Sequence, residues 1–351
     1  MSRARGGPSC GPNGLLPLRL RPGVALSPAR APCGTVLLNL DNISTVRRSL
    51  LDAERVCPHW DADGLAAAAI ALRARGESAD DAVLLERGQT PFGPDPPLPT
   101  GSVALLDWGI RPFARPGVVI DHHAPEAGLR ADQLALSGYR AVPETSTAPL
   151  VRTLLPDAPA WLAAVGAFGD LGRAGFSLRE CRGAPKAPVR RLTALVNAPR
   201  RVPDGPVREA LALLVESESP EDALADPRAA VLDRCREEWR RDSVRVLKTP
   251  PAVEHAVALI EFESPYQVHP LVATAWSRRL APRVVVAANS GYLPDRVNFA
   301  LRGGQGDLRL FLRRAVPGLG GEFANGHDRA TGGSVPPSDW ARLKGALGLE
   351  A

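Results

Sequence analysis

Three short apolar segments of this chain each run directly into acidic or imidazole side chains. The third, Val118–Ile120, is made of β-branched residues and is followed at once by Asp121, His122 and His123. An uninterrupted β-branched run is typical of a strand that is buried on both faces of a parallel sheet. In open α/β sheets, ligands bind beyond the carboxyl ends of the strands. The segment therefore predicts a strand that delivers three ionisable groups to a ligand site.

The two earlier segments show the same pattern. The first segment ends near Pro58 and is followed by a loop that carries His59, Asp61 and Asp63, and then by an Ala-rich helix predicted over residues 64–76. The second segment, Val103–Leu106, ends in Asp107. Each acid alone has an ordinary structural explanation, because Asp caps helices and forms turns. One cap needs one carboxylate, so the remaining groups of the loop favour a ligand site.

Another candidate ligand follows a helix. Strands are predicted at residues 83–86 and around residues 139–142, and helices over residues 146–155 and 159–168. Asp170 comes after the second helix and lies between two glycines. A negative side chain is unfavourable at a helix C-terminus, which already carries partial negative charge. A nearby cation would remove this conflict.

The alternation of strand and helix patterns predicts an α/β fold. We expect an N-terminal Rossmann-like domain with a parallel sheet over residues 36–187, a helical connector over residues 188–250, and a smaller C-terminal α/β domain over residues 251–351. Residues 1–35 are rich in Pro and Gly and are predicted to be a disordered extension. A transit peptide or a wrongly chosen start codon would give the same composition.

Charge and cysteine usage narrow the function classes. Five arginines fall in residues 1–34, which contain no acid, so the other 38 basic residues match the 38 acidic ones. A neutral folded part argues against strong nonspecific binding to duplex nucleic acid. The five cysteines are scattered and form no CxxC pair, which indicates a cytoplasmic protein without a disulfide framework or structural zinc. No apolar run reaches the roughly 18 residues of a membrane span, so a soluble protein is expected.

A glycine-rich segment lies near the C-terminus. Six glycines surround His327 within residues 318–333. Such a segment lets backbone amides approach an anion closely, and phosphate contact is one interpretation. A flexible surface loop is the other.

The candidate ligands would converge at one edge of one sheet. They are His59, Asp61, Asp63, Asp107, Asp121, His122, His123 and Asp170. Carboxylates that share a pocket repel one another, and divalent metal ions would relieve the repulsion. Imidazole and carboxylate without thiolate favour manganese or magnesium and leave iron, cobalt and catalytic zinc open. Two ions roughly 3.5–4 Å apart, bridged by a carboxylate, are the arrangement used in phosphoester hydrolysis.

These segments also resemble a known family. HWDADG, LLDWG, IDHHAP and AFGDLG are similar, in this order, to the four motifs of the DHH phosphoesterase superfamily. Residues 318–333 resemble the glycine-rich signature of the DHH-associated C-terminal domain, and LVNAPRR with the helices after it resembles the RecJ-like branch. The resemblance implies two metal sites that share Asp107. One would be held by His59, Asp61 and Asp107, and the other by Asp63, Asp107, His122 and Asp170.

The resemblance implies further roles. His123 would contact the scissile phosphate, and Asp121 would orient His122. A phosphate or terminus of the substrate would be held from the second domain by His327, Gly326, Arg302, Asn325, Gly332 and Gly333. Trp60 departs from the family pattern and could stack on a base.

The implied activity is a two-metal phosphodiesterase that uses manganese, with magnesium or cobalt as alternatives. It would trim single-stranded DNA or RNA, or short oligonucleotides, from an end, as a RecJ-like exonuclease does. The alternative is a small-molecule phosphodiesterase for cyclic dinucleotides, nanoRNA or 3′-phosphoadenosine phosphate. A non-enzymatic scaffold in replication or repair is a third hypothesis. A homodimer, and repair or replication proteins as partners, are left open.

Overall fold

The computed structural model describes residues 40–93, 95–304, 306–319 and 323–349. The extension predicted over residues 1–35 lies outside these ranges. In the described part the chain forms a four-stranded sheet and a six-stranded sheet, separated along the sequence by helices.

The first sheet is parallel throughout. Its strands, in spatial as in chain order, are β1 (Arg55–Pro58), β2 (Val103–Leu106), β3 (Gly117–Asp121) and β4 (Gln133–Ser137). Every residue of β2 and β3 is buried, as expected for parallel strands that are covered on both faces. Parallel pairing places the carboxyl ends of all four strands at one edge, so the residues that follow β1, β2 and β3 lie side by side.

Helices cover one face of this sheet and loops cover the other. The helices are α1 (Leu40–Asp52), α2 (Ala62–Arg75), α3 (Thr147–Leu154) and α4 (Ala160–Leu171). Helix α2 is buried at every position from Ala62 to Leu72, and its small alanines allow α3 and α4 to pack closely on it. On the opposite face, Phe92, Leu98 and Phe113 pack against the sheet.

Four further helices lead to the second sheet. They are α5 (Lys186–Val196), α6 (Val207–Glu216), α7 (Pro220–Ala225) and α8 (Pro227–Val246). Short 3₁₀ turns are formed by Ala79–Asp81, Gly172–Ser177, Arg179–Cys181 and Pro199–Arg201. Pro220 and Pro227 stand at the first positions of α7 and α8, where a missing N–H group costs no helical hydrogen bond.

The second sheet is mixed. Its strands are β5 (Ala252–Glu254), β6 (Val257–Phe262), β7 (Val284–Asn289), β8 (Val297–Gly303), β9 (Phe323–His327) and β10 (Ala330–Val335). They lie in the order β5-β6-β7-β8-β10-β9, and of the described strand pairs in this sheet only β6–β7 is parallel. The helices around this sheet are α9 (His269–Arg279), α10 (Leu308–Ala315) and α11 (Pro337–Leu347).

Two local predictions were wrong. Residues 83–86 form no strand, although Ala82 makes an isolated bridge to Val56. Residues 139–142 form a turn, and the fourth strand ends before them. The described part of the glycine-rich segment forms the β9–β10 pair and is therefore not a flexible loop, while its contact with phosphate stays a prediction. Among the residues that the structure describes, no helix has both the length and the apolarity needed to cross a membrane.

Candidate metal centre

The loop after β1 is folded tightly against its own start. The His59 N–H group donates to the Leu106 carbonyl oxygen at 2.9 Å. Asp61 caps α2, because its Oδ1 accepts from the Gly64 N–H group at 3.0 Å. A Cβ atom on Gly64 would lie 2.4 Å from the His59 carbonyl oxygen, so only glycine permits this turn. The loop thereby places the His59 ring 2.9 Å from the Asp61 carboxylate.

Asp107 follows β2 in the left-handed backbone region, with φ of 66°. A non-glycine residue in this region is uncommon and often marks a functional site. Its Oδ2 lies 3.7 Å from Nδ1 of His59, and its Oδ1 lies 3.5 Å from Nε2 of His122. The two oxygens of one carboxylate therefore face two different groups of side chains.

Asp121, the last residue of β3, contacts both the turn after β2 and the segment that follows β3 itself. Its Oδ2 accepts from the Gly109 N–H group at 2.7 Å, and its Oδ1 lies 3.1 Å from Nδ1 of His123. The resemblance implied that Asp121 orients His122. These hydrogen bonds show that Asp121 also contacts His123, and its role in orienting His122 stays a prediction.

Asp63 and Asp170 approach His122 from two helices. Oδ2 of Asp170, in the last turn of α4, lies 3.0 Å from Nε2 of His122. Oδ2 of Asp63, in the first turn of α2, lies 3.9 Å from the same nitrogen. Asp63 is fully buried. Because α4 extends to Leu171, Asp170 lies within the helix, whereas the sequence predicted it just beyond the helix end.

The structure brings the predicted ligands together in overlapping sets. Within each set, one ligand atom from every residue lies within 4.8 Å of all the others. The sets are His59, Asp61 and Asp107; Asp63, Asp107, His122 and Asp170; and Asp107, His122 and His123. The first two coincide with the two sets that the resemblance implied.

Burial and charge repulsion within the sets raise the pKa values of two carboxylates. Burial, together with the Asp170 carboxylate, raises the pKa of Asp63 to about 7. Burial, together with the neighbouring Asp61 and Asp63, raises the pKa of Asp107 well above its ordinary value. Holding these buried groups ionised side by side is unfavourable unless a cation is near. The donor set, of carboxylate oxygens and imidazole nitrogens, fits divalent ions that would supply the missing positive charge.

Other members of the centre are held ionised by neighbours. Burial opposes the charge of Asp61, but His59 and Arg200 hold its pKa well below the ordinary value. Burial likewise disfavours a charged His122, yet its hydrogen bond with Asp170 raises its pKa to about 9. Asp61 is thus held ionised, whereas burial and the Asp170 charge favour the protonated form of Asp63.

The sequence missed several neighbours of these ligands. Nη1 of Arg200 lies 3.4 Å from Oδ2 of Asp61, and the Trp108 ring packs edge-on against the His59 ring at 5.1 Å. Ser146 and Thr147 donate to Asp63 and Asp107. A Ser-Thr pair ahead of a helix signals an N-cap, which was the only available hint.

The substrate-binding residues predicted from the second domain lie on β8, β9 and β10. Nη1 of Arg302 donates to the carbonyl oxygens of Leu301 and Thr331, at 2.8 and 3.1 Å. A Cβ atom on Gly332 would lie 2.3 Å from the Phe299 carbonyl oxygen, so strand packing already requires this glycine. Gly326 is required by its φ of 101°, and Gly333 pairs with β9 opposite Phe323. The side chains of Asn325 and His327 lie outside the described part.

The charge of Arg302 acts on a buried histidine. Burial and the charges of Arg302 and Arg200 lower the pKa of His269 to about 3. Arg200 also contacts Asp61.

No protein-family model and no curated protein sequence matches the chain. Solved structures do. RecJ from Thermus thermophilus in complex with Mn²⁺ aligns with a TM-score of 0.58 at 17% identity, over 88% of this chain and 55% of that chain. An exonuclease RecJ bound to manganese aligns with a TM-score of 0.56 at 19% identity, over 88% and 95%. The DHH domain of a member of a ribosomal protein family aligns with a TM-score of 0.53 at 14% identity, over 88% and 89%.

The chain has the DHH fold. The predicted α/β class and the resemblance are thereby confirmed at the level of the fold. The chain spans about half the length of the Thermus RecJ, at 55%. Activity, substrate and partners are accordingly proposals.

Proposed function

We propose that this DHH-fold protein is a two-metal phosphodiesterase that hydrolyses single-stranded nucleic acid or short oligonucleotides from an end. The observation that carries the proposal is Asp107, whose two carboxylate oxygens face two separate sets of ligands. A shared carboxylate between two closely spaced cations is the arrangement that supports in-line displacement at phosphorus.

The residues divide into two proposed metal sites. His59, Asp61 and Asp107 hold one ion, and Asp63, Asp107, His122 and Asp170 hold the other. Ions bound here lower the pKa of a coordinated water and polarise a phosphoryl oxygen. Manganese suits this mixture of imidazole and carboxylate best, and magnesium or cobalt are alternatives.

His123 is the proposed contact for the scissile phosphate. Its Nδ1 is held by Asp121 at 3.1 Å, so the ring is fixed at the edge of the centre by a partner outside the two ligand sets. A fixed imidazole next to Asp107 can donate a hydrogen bond to a phosphate oxygen as negative charge develops there. Asp121 therefore acts by positioning His123.

The second domain is proposed to hold the rest of the substrate. Arg302, on β8, is one of the proposed contacts. The other proposed substrate contacts on this sheet are Asn325, Gly326, His327, Gly332 and Gly333. Trp60, half-buried beside His59, is proposed as a stacking surface for a base.

The test measures cleavage of end-labelled single strands in the presence of Mn²⁺. We expect wild type to shorten both DNA and RNA oligonucleotides from one end, and Asp107→Ala to abolish cleavage and binding of at least one ion. Asp132→Ala is the control, because Asp132 is exposed and its carboxylate pairs only with Arg130 among the described side-chain contacts. A wild-type protein that binds Mn²⁺ and cleaves no single strand would contradict the proposal.

Substrate length separates the two classes of phosphodiesterase. An enzyme for cyclic dinucleotides or 3′-phosphoadenosine phosphate loses activity steeply beyond two nucleotides. An end-directed nuclease retains its kcat/KM as the strand grows, because the protein then binds additional phosphates. We expect the second result.

A further inference from the structure

We propose that Ser146 and Thr147 are positioning residues that fix the two carboxylates on which the metal centre depends. The inference rests on the proposed function and extends it to residues outside both ligand sets. Asp63 lies in the first turn of α2 and Asp107 follows β2, and their carboxylates need a defined orientation to serve two ions. The N-terminus of α3 supplies that orientation.

Asp63 accepts three hydrogen bonds from this terminus. The Ser146 hydroxyl donates to Oδ1 at 2.8 Å, and the Ala148 N–H group donates to Oδ1 at 2.9 Å. The Thr147 N–H group donates to Oδ2 at 2.5 Å. Both carboxylate oxygens are thus engaged, so the Asp63 side chain cannot rotate without losing a buried hydrogen bond.

Thr147 joins Asp63 to Asp107. Its N–H group binds Asp63, while its hydroxyl donates to Oδ1 of Asp107 at 2.8 Å. This oxygen is the one that faces His122, and the other carboxylate oxygen faces His59. A hydrogen bond to Oδ1 therefore sets the plane of the carboxylate and determines how Asp107 is shared between the two ligand sets.

Ordinary helix capping does not account for these contacts. Ser146 stands at the N-cap of α3, yet its side chain accepts no hydrogen bond from the helix. Its hydroxyl donates to Asp63, which itself accepts from the N–H groups at the start of α3. Ser146, Thr147 and Asp63 are all fully buried. Here the carboxylate caps the helix and the hydroxyl groups serve the carboxylates.

Loss of the Thr147 hydroxyl leaves Asp107 able to rotate. Residues that orient metal ligands typically contribute about 10–100-fold to metal affinity. Because the hydroxyl acts on the shared carboxylate, we expect its loss to weaken one of the two ions and to leave the other bound.

The experiment compares Mn²⁺ binding by wild type, Thr147→Val and Thr147→Ser. Valine keeps the β-branched shape without the hydroxyl, whereas serine keeps the hydroxyl. Calorimetric titration gives the affinity of each ion, and electron paramagnetic resonance reports the spin coupling of an adjacent Mn²⁺ pair. We expect Thr147→Val to bind the second ion about 10–100-fold more weakly and to lose the coupled signal, and Thr147→Ser to behave as wild type.

Two further variants serve as a control and as a replacement. Thr153→Val, on the same helix, removes a hydroxyl that donates to the Pro149 carbonyl oxygen and should leave metal binding unchanged. If Thr147→Val does not fold, Ser146→Ala takes its place, and it should weaken the ion held by Asp63. Thermal unfolding without metal shows which variants are folded.

The outcomes separate this inference from the proposed function. If wild type binds no Mn²⁺, the two-metal proposal fails and the inference fails with it. If wild type binds two ions and Thr147→Val, or Ser146→Ala in its place, binds them with the same affinities and coupling, the proposed function stands and the positioning role is wrong. A loss in Thr147→Ser equal to that in Thr147→Val would also overturn the role, because the hydroxyl is still present.

Discussion

Packing around Asp63 leaves no space for a side chain at position 166 of the neighbouring helix α4. A Cβ atom on Gly166 would lie 2.3 Å from Oδ1 of Asp63 and 2.6 Å from the Ala148 Cβ atom. Gly166 is therefore needed for close approach and not for an unusual backbone conformation. The same contact allows α3 and α4 to enclose the Asp63 carboxylate together.

Gly166→Ala should damage both stability and metal binding. The added methyl group must push Asp63 or α3 away, and overpacking of this kind costs about 1–3 kcal/mol. Chemical denaturation measures the stability loss, and titration with Mn²⁺ measures the loss of affinity. Gly128→Ala is the matched control, since Gly128 is exposed and has no atom within 4 Å of the added methyl group. Equal behaviour of the two variants would show that α4 yields without cost.

His269 makes the stability of the protein depend on pH. Its pKa falls from 6.5 to about 3 in the folded state, because burial and the charges of Arg302 and Arg200 disfavour the imidazolium. Between these values the unfolded chain binds a proton that the folded chain does not. His269 therefore does not reduce the free energy of unfolding above the unfolded pKa of 6.5, and it reduces this free energy progressively as the pH falls below that value.

His269→Gln should remove this dependence. Glutamine does not titrate, so the free energy of unfolding of the variant, relative to wild type, should improve on acidification by up to about 1.4 kcal/mol per pH unit. Urea denaturation between about pH 4.5 and pH 7.5, a range that spans the unfolded histidine pKa, measures it. Parallel stability curves for the two proteins would mean that His269 is protonated in the folded state.

Residues next to the centre show where sequence reasoning stops. Asp107 and His122 could be found because an apolar run that ends in a charged group is a local pattern. Ser146 donates to a carboxylate 83 positions away in the chain, and Arg200 contacts one 139 positions away. Such contacts arise only when the helices pack, so no local pattern reveals them.

At the scale of elements, α2 shows what a buried helix requires. It is the centre of the first domain's packing and contacts α3, α4 and α6. Alanine is both a good helix former and small enough to let three helices approach. The sequence predicted this helix well because its high alanine content favours a helix. The turn at residues 139–142 was predicted as a strand because pairing partners, and not the residues themselves, decide where β4 ends.

Ala67→Leu tests the packing of α2. Ala67 is fully buried, so the larger side chain forces its neighbours apart and should destabilise the fold by about 1–3 kcal/mol. Ala230→Leu is the control, because Ala230 is exposed on helix α8. Urea denaturation should show a lower midpoint for the first variant and an unchanged midpoint for the second. An unchanged midpoint in both would mean that α2 packs loosely.

At the scale of the whole molecule, Arg87 joins parts of the chain that are far apart in sequence. Its guanidinium donates to the carbonyl oxygens of Val202 and Pro265 and lies over the Tyr292 ring, 4.7 Å from the centroid. The Tyr292 hydroxyl donates in turn to the Arg200 carbonyl oxygen at 3.3 Å. The first domain, the turn that carries Arg200, and the second domain thus meet at one side chain.

Arg87→Met should loosen this junction without altering the metal ligands. Methionine retains part of the stem but loses both hydrogen bonds and the charge over the ring, which together contribute about 1–3 kcal/mol. Hydrogen exchange should become faster in strands β7 and β8 and stay unchanged in β2 and β3. Under the proposed function, the KM for oligonucleotides should rise more than kcat falls, because the proposed substrate contacts on the second sheet lose their fixed position. Arg182→Met, at an exposed arginine, is the control. Exchange that accelerates equally in both sheets would show that Arg87 stabilises the whole fold and not the junction.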